Sequence, residues 1–169
     1  GAPPVELGQV EWPISAAHDA THLYVSSYTG SGGVHRIAKD GSGSVLLAEL
    51  ASPSGLALVG DHVHVGVSGE RWLARVPKGG GEVERLAHVT GPTDVAFAGG
   101  HVVVADYLGN ELLRFDTEGG ARTVLAAPES GIYQLGVGAG LVAWSSFAQE
   151  LRAAPLAGGA SRVLAPENA

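Results

Sequence analysis

The pair Leu-Ala returns at Leu47-Ala48, Leu86-Ala87, Leu125-Ala126 and Leu164-Ala165, 39 residues apart each time. A glycine-led turn returns in step at Gly41, Gly80, Gly119 and Gly158. No other feature limits the fold so strongly. A chain self-similar at this period is built of supersecondary units that cannot bury their apolar faces alone, so neighbours must stack into a shared core. Aligned on the beat, the units run 13–52, 53–91, 92–131 and 132–169.

Each unit opens with an apolar segment after a turn, such as Gly55-Leu56-Ala57-Leu58-Val59 or Asp94-Val95-Ala96-Phe97-Ala98. Small residues recur inside it at Ala17, Ala57, Ala96 and Gly136, as close backbone approach at a crowded axis would require. A short turn leads to a β-branched strand such as Val63-His64-Val65 or Val102-Val103-Val104. Third and fourth strands follow, Leu112-Leu113-Arg114-Phe115 and Arg122-Thr123-Val124-Leu125-Ala126 in the third unit. No stretch keeps a helical period past a glycine or proline. Four antiparallel strands per unit of this length is the arithmetic of a β-propeller blade. The expectation is an all-β fold of four complete four-stranded blades in one domain, as a closed ring or as a segment or half of a larger one. Residues 1–12 read as the outer strand of a preceding blade, because Leu7-Gly8 stands 40 residues before Leu47-Ala48. Two chains joining into an eight-bladed ring would give that strand a purpose.

The run Pro92-Thr93-Asp94-Val95-Ala96, then Val104-Ala105-Asp106-Tyr107, Gly109-Asn110 and Leu113-Arg114-Phe115-Asp116, resembles an NHL-type propeller repeat. Pro53-Ser54-Gly55-Leu56-Ala57 through Arg75-Val76-Pro77-Lys78-Gly79-Gly80 is similar to the secreted, gluconolactonase-like bacterial relatives of those propellers. Units one and four depart from the pattern: Ser26-Ser27 and Ser145-Ser146 stand for Ala105-Asp106, and Ala153 stands where the others carry Arg36, Arg75 and Arg114. The resemblance implies a family of scaffolds, ligand binders, lactonases and lyases, so it does not choose a chemistry.

Composition removes several classes. Seventeen acids against ten bases give a net charge of −7, which repels a phosphate backbone. No long apolar run or basic cluster suggests a membrane span or a polybasic membrane patch. With no cysteine there is no disulfide, thiolate ligand or cysteine nucleophile. Methionine is absent too, and the opening Gly1-Ala2-Pro3-Pro4 reads as the stub of a processed or engineered chain. Low charge, abundant glycine and missing cysteine suit a secreted or periplasmic bacterial protein.

The fourth-to-first and second-to-third loops meet at one mouth of a propeller, and ligand-binding residues are expected there. The first set offers Glu11, Trp12, Ser15, Ser54, Thr93, Asp94, Tyr133 and Gln134, and the second offers Tyr28, Arg71, Trp72, Asp106, Tyr107, Asn110, Phe147 and Gln149. Of these, Trp12, Tyr28, Arg71, Trp72, Asp94, Tyr107, Tyr133, Gln134 and Phe147 are the expected ligand-binding residues. Tyr28, Tyr107 and Phe147 are repeat equivalents, with Ser68 in the remaining blade, and an aromatic collar with a few polar groups suits a small molecule or peptide. The bland alternative is that these rings cap each blade and pack on their neighbours. His22, His62 and His101 read as structural echoes of the repeat, His18 as a satisfied core residue, and the repeated arginines as structural. No phosphate loop, Gly-x-Ser-x-Gly elbow or His-Glu-x-x-His motif is present. The expectation is a non-catalytic binding or scaffold module without cofactor or metal, whose partner is a small molecule, a peptide or a protein. The alternatives are a metal-assisted lactonase- or lyase-like enzyme using Glu11, Asp94 and Asp106, and a fragment or engineered chain that self-assembles into a ring.

Overall fold

A computed structural model describes residues 3, 5–28 and 32–165. Sixteen strands form four separate antiparallel sheets in chain order. The first holds β1 (Pro13–His18), β2 (His22–Ser27), β3 (Gly33–Ala38) and β4 (Ser44–Glu49); the second holds β5 (Pro53–Val59), β6 (His62–Val67), β7 (Trp72–Pro77) and β8 (Glu84–His88). The third holds β9 (Pro92–Ala98), β10 (His101–Asp106), β11 (Glu111–Asp116) and β12 (Thr123–Ala126); the fourth holds β13 (Ile132–Gly138), β14 (Leu141–Ser146), β15 (Leu151–Pro155) and β16 (Arg162–Ala165). There is no helix among the described residues, and every sheet is a simple meander.

The glycine beat is one turn repeated four times. The amides of Gly41, Gly80, Gly119 and Gly158 donate to the carbonyls of Ala38, Pro77, Asp116 and Pro155, and each glycine has a φ between 78° and 96°. A side chain is disfavoured at such a φ, which is why glycine returns there.

The Leu-Ala beat has a different cause. In the first sheet Val34 pairs with Ala48 while His35 pairs with Leu46, so Leu47 is an extra residue in the outer strand. The same slip isolates Leu86, Leu125 and Leu164. Each repeated leucine is therefore a β-bulge, and a bulge bends its strand and re-aims a side chain. Leu47 lies in the core between the first two sheets, Leu86 packs against the core between the second and third, and Leu125 belongs to the core between the third and fourth. Leu164 has no following sheet and is 45% exposed.

The core is thus three inter-blade layers, not one centre. The first strands are innermost: β5 packs between β1 and β9, and β9 packs between β5 and β13. No comparable packing among the described residues brings β13 back to β1, so the blades form an open arc. The consequence is visible at Gly136, where an added Cβ would meet nothing within 4 Å. Crowding at the axis, expected from the small residues, is absent at that end.

Residues 5–12, expected as an outer strand, make no strand pairing, and residues 1, 2 and 4 lie outside the described residues. The segment instead crosses the open face of the first sheet, with Gly8 against Ile37 and Ser44. The three sister strands it would need are not among the described residues.

Side chains reinforce the blade contacts. Arg36 donates to the Lys78 carbonyl at 2.9 Å, Arg114 to the Leu156 carbonyl at 2.8 Å, and Arg75 to Glu118 at 2.6 Å. Each repeated arginine reaches from its third strand to the third-to-fourth turn of the next blade. Ala153 stands at this position in the fourth blade, after which the described residues hold no further sheet.

Candidate functional site: the mouth of the arc

A second set of bulges builds the mouth. Pro13 pairs with Ser27 but Ser15 with Ser26, which leaves Ile14 as an extra residue at the start of β1. The same irregularity falls at Ser54-Gly55 in β5, at Thr93 in β9 and at Tyr133 in β13. Ile14, Ser54, Thr93 and Tyr133 all line one cavity of about 540 Å³. Ser15, Tyr28, Gly55, Ser68, Asp94 and Gln134 complete most of its wall, so every blade contributes. That volume falls within the range of about 300–1,000 Å³ typical of small-ligand pockets.

Hydroxyl groups tie the blades together directly beneath this cavity. Ser54 Oγ donates toward the Pro92 carbonyl at 2.8 Å, and Ser68 Oγ donates to the same oxygen at 2.6 Å. Thr93 Oγ1 lies 3.2 Å from the Ile132 carbonyl of the next blade and 3.3 Å from that of Ala105. Ser26 Oγ donates to the Ser54 carbonyl at 2.6 Å.

Asp94 carries the charge of the cavity. Its Oδ1 accepts from the Val95 amide at 2.9 Å and its Oδ2 from the Leu135 amide of the next blade at 2.8 Å. Burial pushes this carboxyl above the usual aspartate range, although the Leu135 and Val95 amides pull the other way. Gly55 has to be glycine: a Cβ there would run into the Asp94 carboxylate and backbone.

Four of the nine expected binding residues meet here: Tyr28, Asp94, Tyr133 and Gln134. Tyr107 and Phe147 lie beside them. Phe147 sits 5.3 Å from Tyr107 and 5.4 Å from Tyr133, ring centre to ring centre, and Tyr107 covers Gly131 at the entry to the last blade. This aromatic trio packs as a blade cap, with Tyr133 as its member in the cavity wall.

The other three lie elsewhere. Trp12 is 74% exposed outside the cavity, and its carbonyl accepts from the Tyr28 amide. Arg71 takes a φ of 65° in a tight hairpin, where its amide bonds the Val67 carbonyl and its carbonyl accepts from Val89. Trp72, the first residue of β7, lines a separate cleft of about 780 Å³ with Glu49 and Glu70. There the Trp72 ring stacks edge-on against His88 and under the Arg85 guanidinium.

Asp106 is a structural residue. It is buried and accepts from the amides of Thr90, Gly91 and Gly109 at 3.0, 2.7 and 3.0 Å. Glu11, Asp94 and Asp106 do not come together, and no group of three histidine or carboxylate side chains among the described residues is placed to hold a metal. His18, expected in the core, is exposed at the far end of β1, where its Nδ1 lies 3.1 Å from Lys39 Nζ. Of its repeat equivalents, Phe97 and Val137 are exposed as well, whereas Leu58 is half-buried against the core between the first two sheets. The unexpected histidine is His64, 1% exposed, with Nε2 at 2.9 Å from the Thr117 carbonyl and burial lowering its pKa.

Meandering four-stranded sheets packed inner strand to inner strand, with a mouth built from their entry loops, define the β-propeller class. The solved structures that resemble the chain agree. A nidogen/laminin complex superposes with a TM-score of 0.75 at 19% identity, over 88% of this chain and 63% of that one. A gluconolactonase from Xanthomonas campestris gives 0.70 at 14% identity, over 79% of this chain and 54% of that one. The computationally designed protein Ika8 gives 0.64 at 13% identity, over 90% and 60%. At these identities the likeness shows the fold alone, and the chain spans 54–63% of the length of these three structures. No protein-family model matches the chain, and no curated protein matches it.

Proposed function

We propose that the chain is a non-catalytic propeller module that binds a small ligand, or a side chain of a peptide or protein partner, in the mouth of the arc. The carrying observation is the bulge at the start of every inner strand, which turns Ile14, Ser54, Thr93 and Tyr133 into one cavity. Bulges cost ladder pairing and recur where a side chain has to be re-aimed. The NHL-type resemblance and the complexed state of nidogen with laminin support a binding role; a secreted or periplasmic setting suits both. The lactonase rival draws on the Xanthomonas campestris neighbour but finds no converging acids among the described residues.

The test is a protein-observed amide titration with lysine, glucose, citrate and phenol, run beside a glucono-δ-lactone hydrolysis assay with added calcium, zinc or manganese. Shifts gathered at Ser54, Gly55, Val95 and Leu135 without lactone turnover are expected. Shifts confined to other regions, or metal-dependent turnover abolished by Asp94→Ala, would overturn the reading.

A second reading concerns assembly. The inner strands at both ends of the arc are largely exposed, which supports self-association of two chains into a larger ring.

A further inference from the structure

The mouth carries one formal charge, the carboxylate of Asp94. We infer that it takes an organic cation, a primary ammonium or guanidinium group, seated on Asp94 between Tyr28 and Tyr133. This inference rests on the mouth being the binding site.

Hydrogen-bond polarity supplies the first argument. A hydroxyl has one proton and two lone pairs. The protons of Ser54, Ser68 and Thr93 point to backbone carbonyls of Pro92, Ile132 and their neighbours, so the lone pairs are what these groups can offer a ligand. Each Asp94 oxygen accepts one backbone amide, which leaves each with a further lone pair. Ser15 Oγ, which accepts the Leu56 amide, the Gln134 amide and the two tyrosine hydroxyls keep donors in the same wall. The acceptors therefore gather around Asp94, Ser54, Ser68 and Thr93, where a donor-rich group would sit.

Charge supplies the second argument. Asp94 is the one acid in the wall, and no lysine, arginine or histidine lines it. An anion would meet a half-buried carboxylate with no cation to offset it, and like charges so placed repel strongly. A cation would supply the counter-charge that the fold withholds from Asp94. The net charge of −7 adds a long-range attraction of the same sign.

Aromatic faces supply the third. Tyr28 and Tyr133, 49% and 54% exposed, flank the acceptors in the same wall. Tyrosine faces attract cations through the ring quadrupole, and an ammonium between a carboxylate and two rings meets both kinds of partner. Tyr133 is held in place by its edge contact with Phe147.

The experiment titrates the intact chain with N-acetyl-lysine amide and butylamine, against the uncharged N-acetyl-norleucine amide and butanol, following the Val95 and Leu135 amides. Both amines should shift these signals and the neutral isosteres should not. Asp94→Asn should weaken lysine-amide binding by about tenfold or more, because it removes one partner of a desolvated charge pair. Since Asn can accept only one of the two backbone amides, Tyr133→Leu serves as an independent variant on an exposed residue. It should weaken binding by roughly two- to fivefold. If neutral and charged probes shift the mouth equally, or calcium does so while the amines do not, the cation assignment fails but the binding site stands. If no probe of either set or of the first titration shifts these amides, both fail.

Discussion

Asp94 and Asp106 stand twelve positions apart in one blade and do opposite things. Asp106 accepts three backbone amides and vanishes into the fold, whereas Asp94 accepts two and keeps lone pairs toward a cavity. Sequence alone shows two acids near a loop face; which one stays available depends on the amides that the loops bring to it. His64 is the residue with the clearest pH consequence. Burial lowers its pKa, its Nε2 bonds Thr117 and its Nδ1 has no partner. Below the ordinary histidine value of about 6.5 the unfolded chain takes up a proton that the native chain refuses, so stability falls as pH drops through that region toward the native pKa. His64→Val, which copies Val103 of the next blade, should reduce the slope of melting temperature against pH below about pH 6.5, where unfolded histidines protonate. His35, also lowered by burial, should retain part of the slope. An unchanged slope in thermal melts across that range would contradict the assignment.

At the scale of the element, the repeated arginines act between blades. The Arg114 guanidinium bonds a carbonyl in the following blade, and hydrogen bonds from charged groups are worth about 1.5–3 kcal/mol. Arg114→Ala should therefore cost about 1.5–3 kcal/mol in denaturant unfolding, whereas Arg122→Ala, an exposed pair with Glu111 within its own sheet, should cost about 1 kcal/mol or less. Strands, turns and blade order were legible from periodicity and glycine spacing. The bulges were not, because an extra residue changes the pairing register without changing composition. Hence the Leu-Ala pair is visible as a beat but not as a bulge, and Ile14, which the bulge in β1 turns into the wall beside the expected Ser54 and Thr93, has no signal in the sequence. Trp72, expected at the mouth, instead lies in the cleft beside Glu49 and Glu70, against His88, its partner across the sheet, and Arg85.

For the whole molecule, the open arc makes the ends unlike the middle. The inner strands β5 and β9 are flanked on both sides, while β1 and β13 each have one neighbour of this kind. Hydrogen exchange should be slowest in β5, β6, β9 and β10 and markedly faster in β1, β13 and β16, since protection follows burial and contact density. If two chains close a ring, the protection of β1 and β13 should rise with concentration, and sedimentation should show twice the 17.1 kDa chain mass. A mass of one chain at every concentration would end the two-chain reading.

What the sequence by itself determined is the scaffold: four copies of a four-stranded unit, their order, and the turns that join them. Those properties are local, written in β-branched runs and in glycines at positive φ, and each copy repeats them. Tertiary structure alone decided that β13 does not pack back on β1, that Asp106 is structural, and that of the nine expected binding residues Tyr28, Asp94, Tyr133 and Gln134 share a wall with Ile14 and the hydroxyls of Ser15, Ser54, Ser68 and Thr93. These depend on the register between strands and on which blade follows which, and register is a relation between segments. The repeat that makes the blades alike in sequence cannot say which of their equivalent side chains will converge.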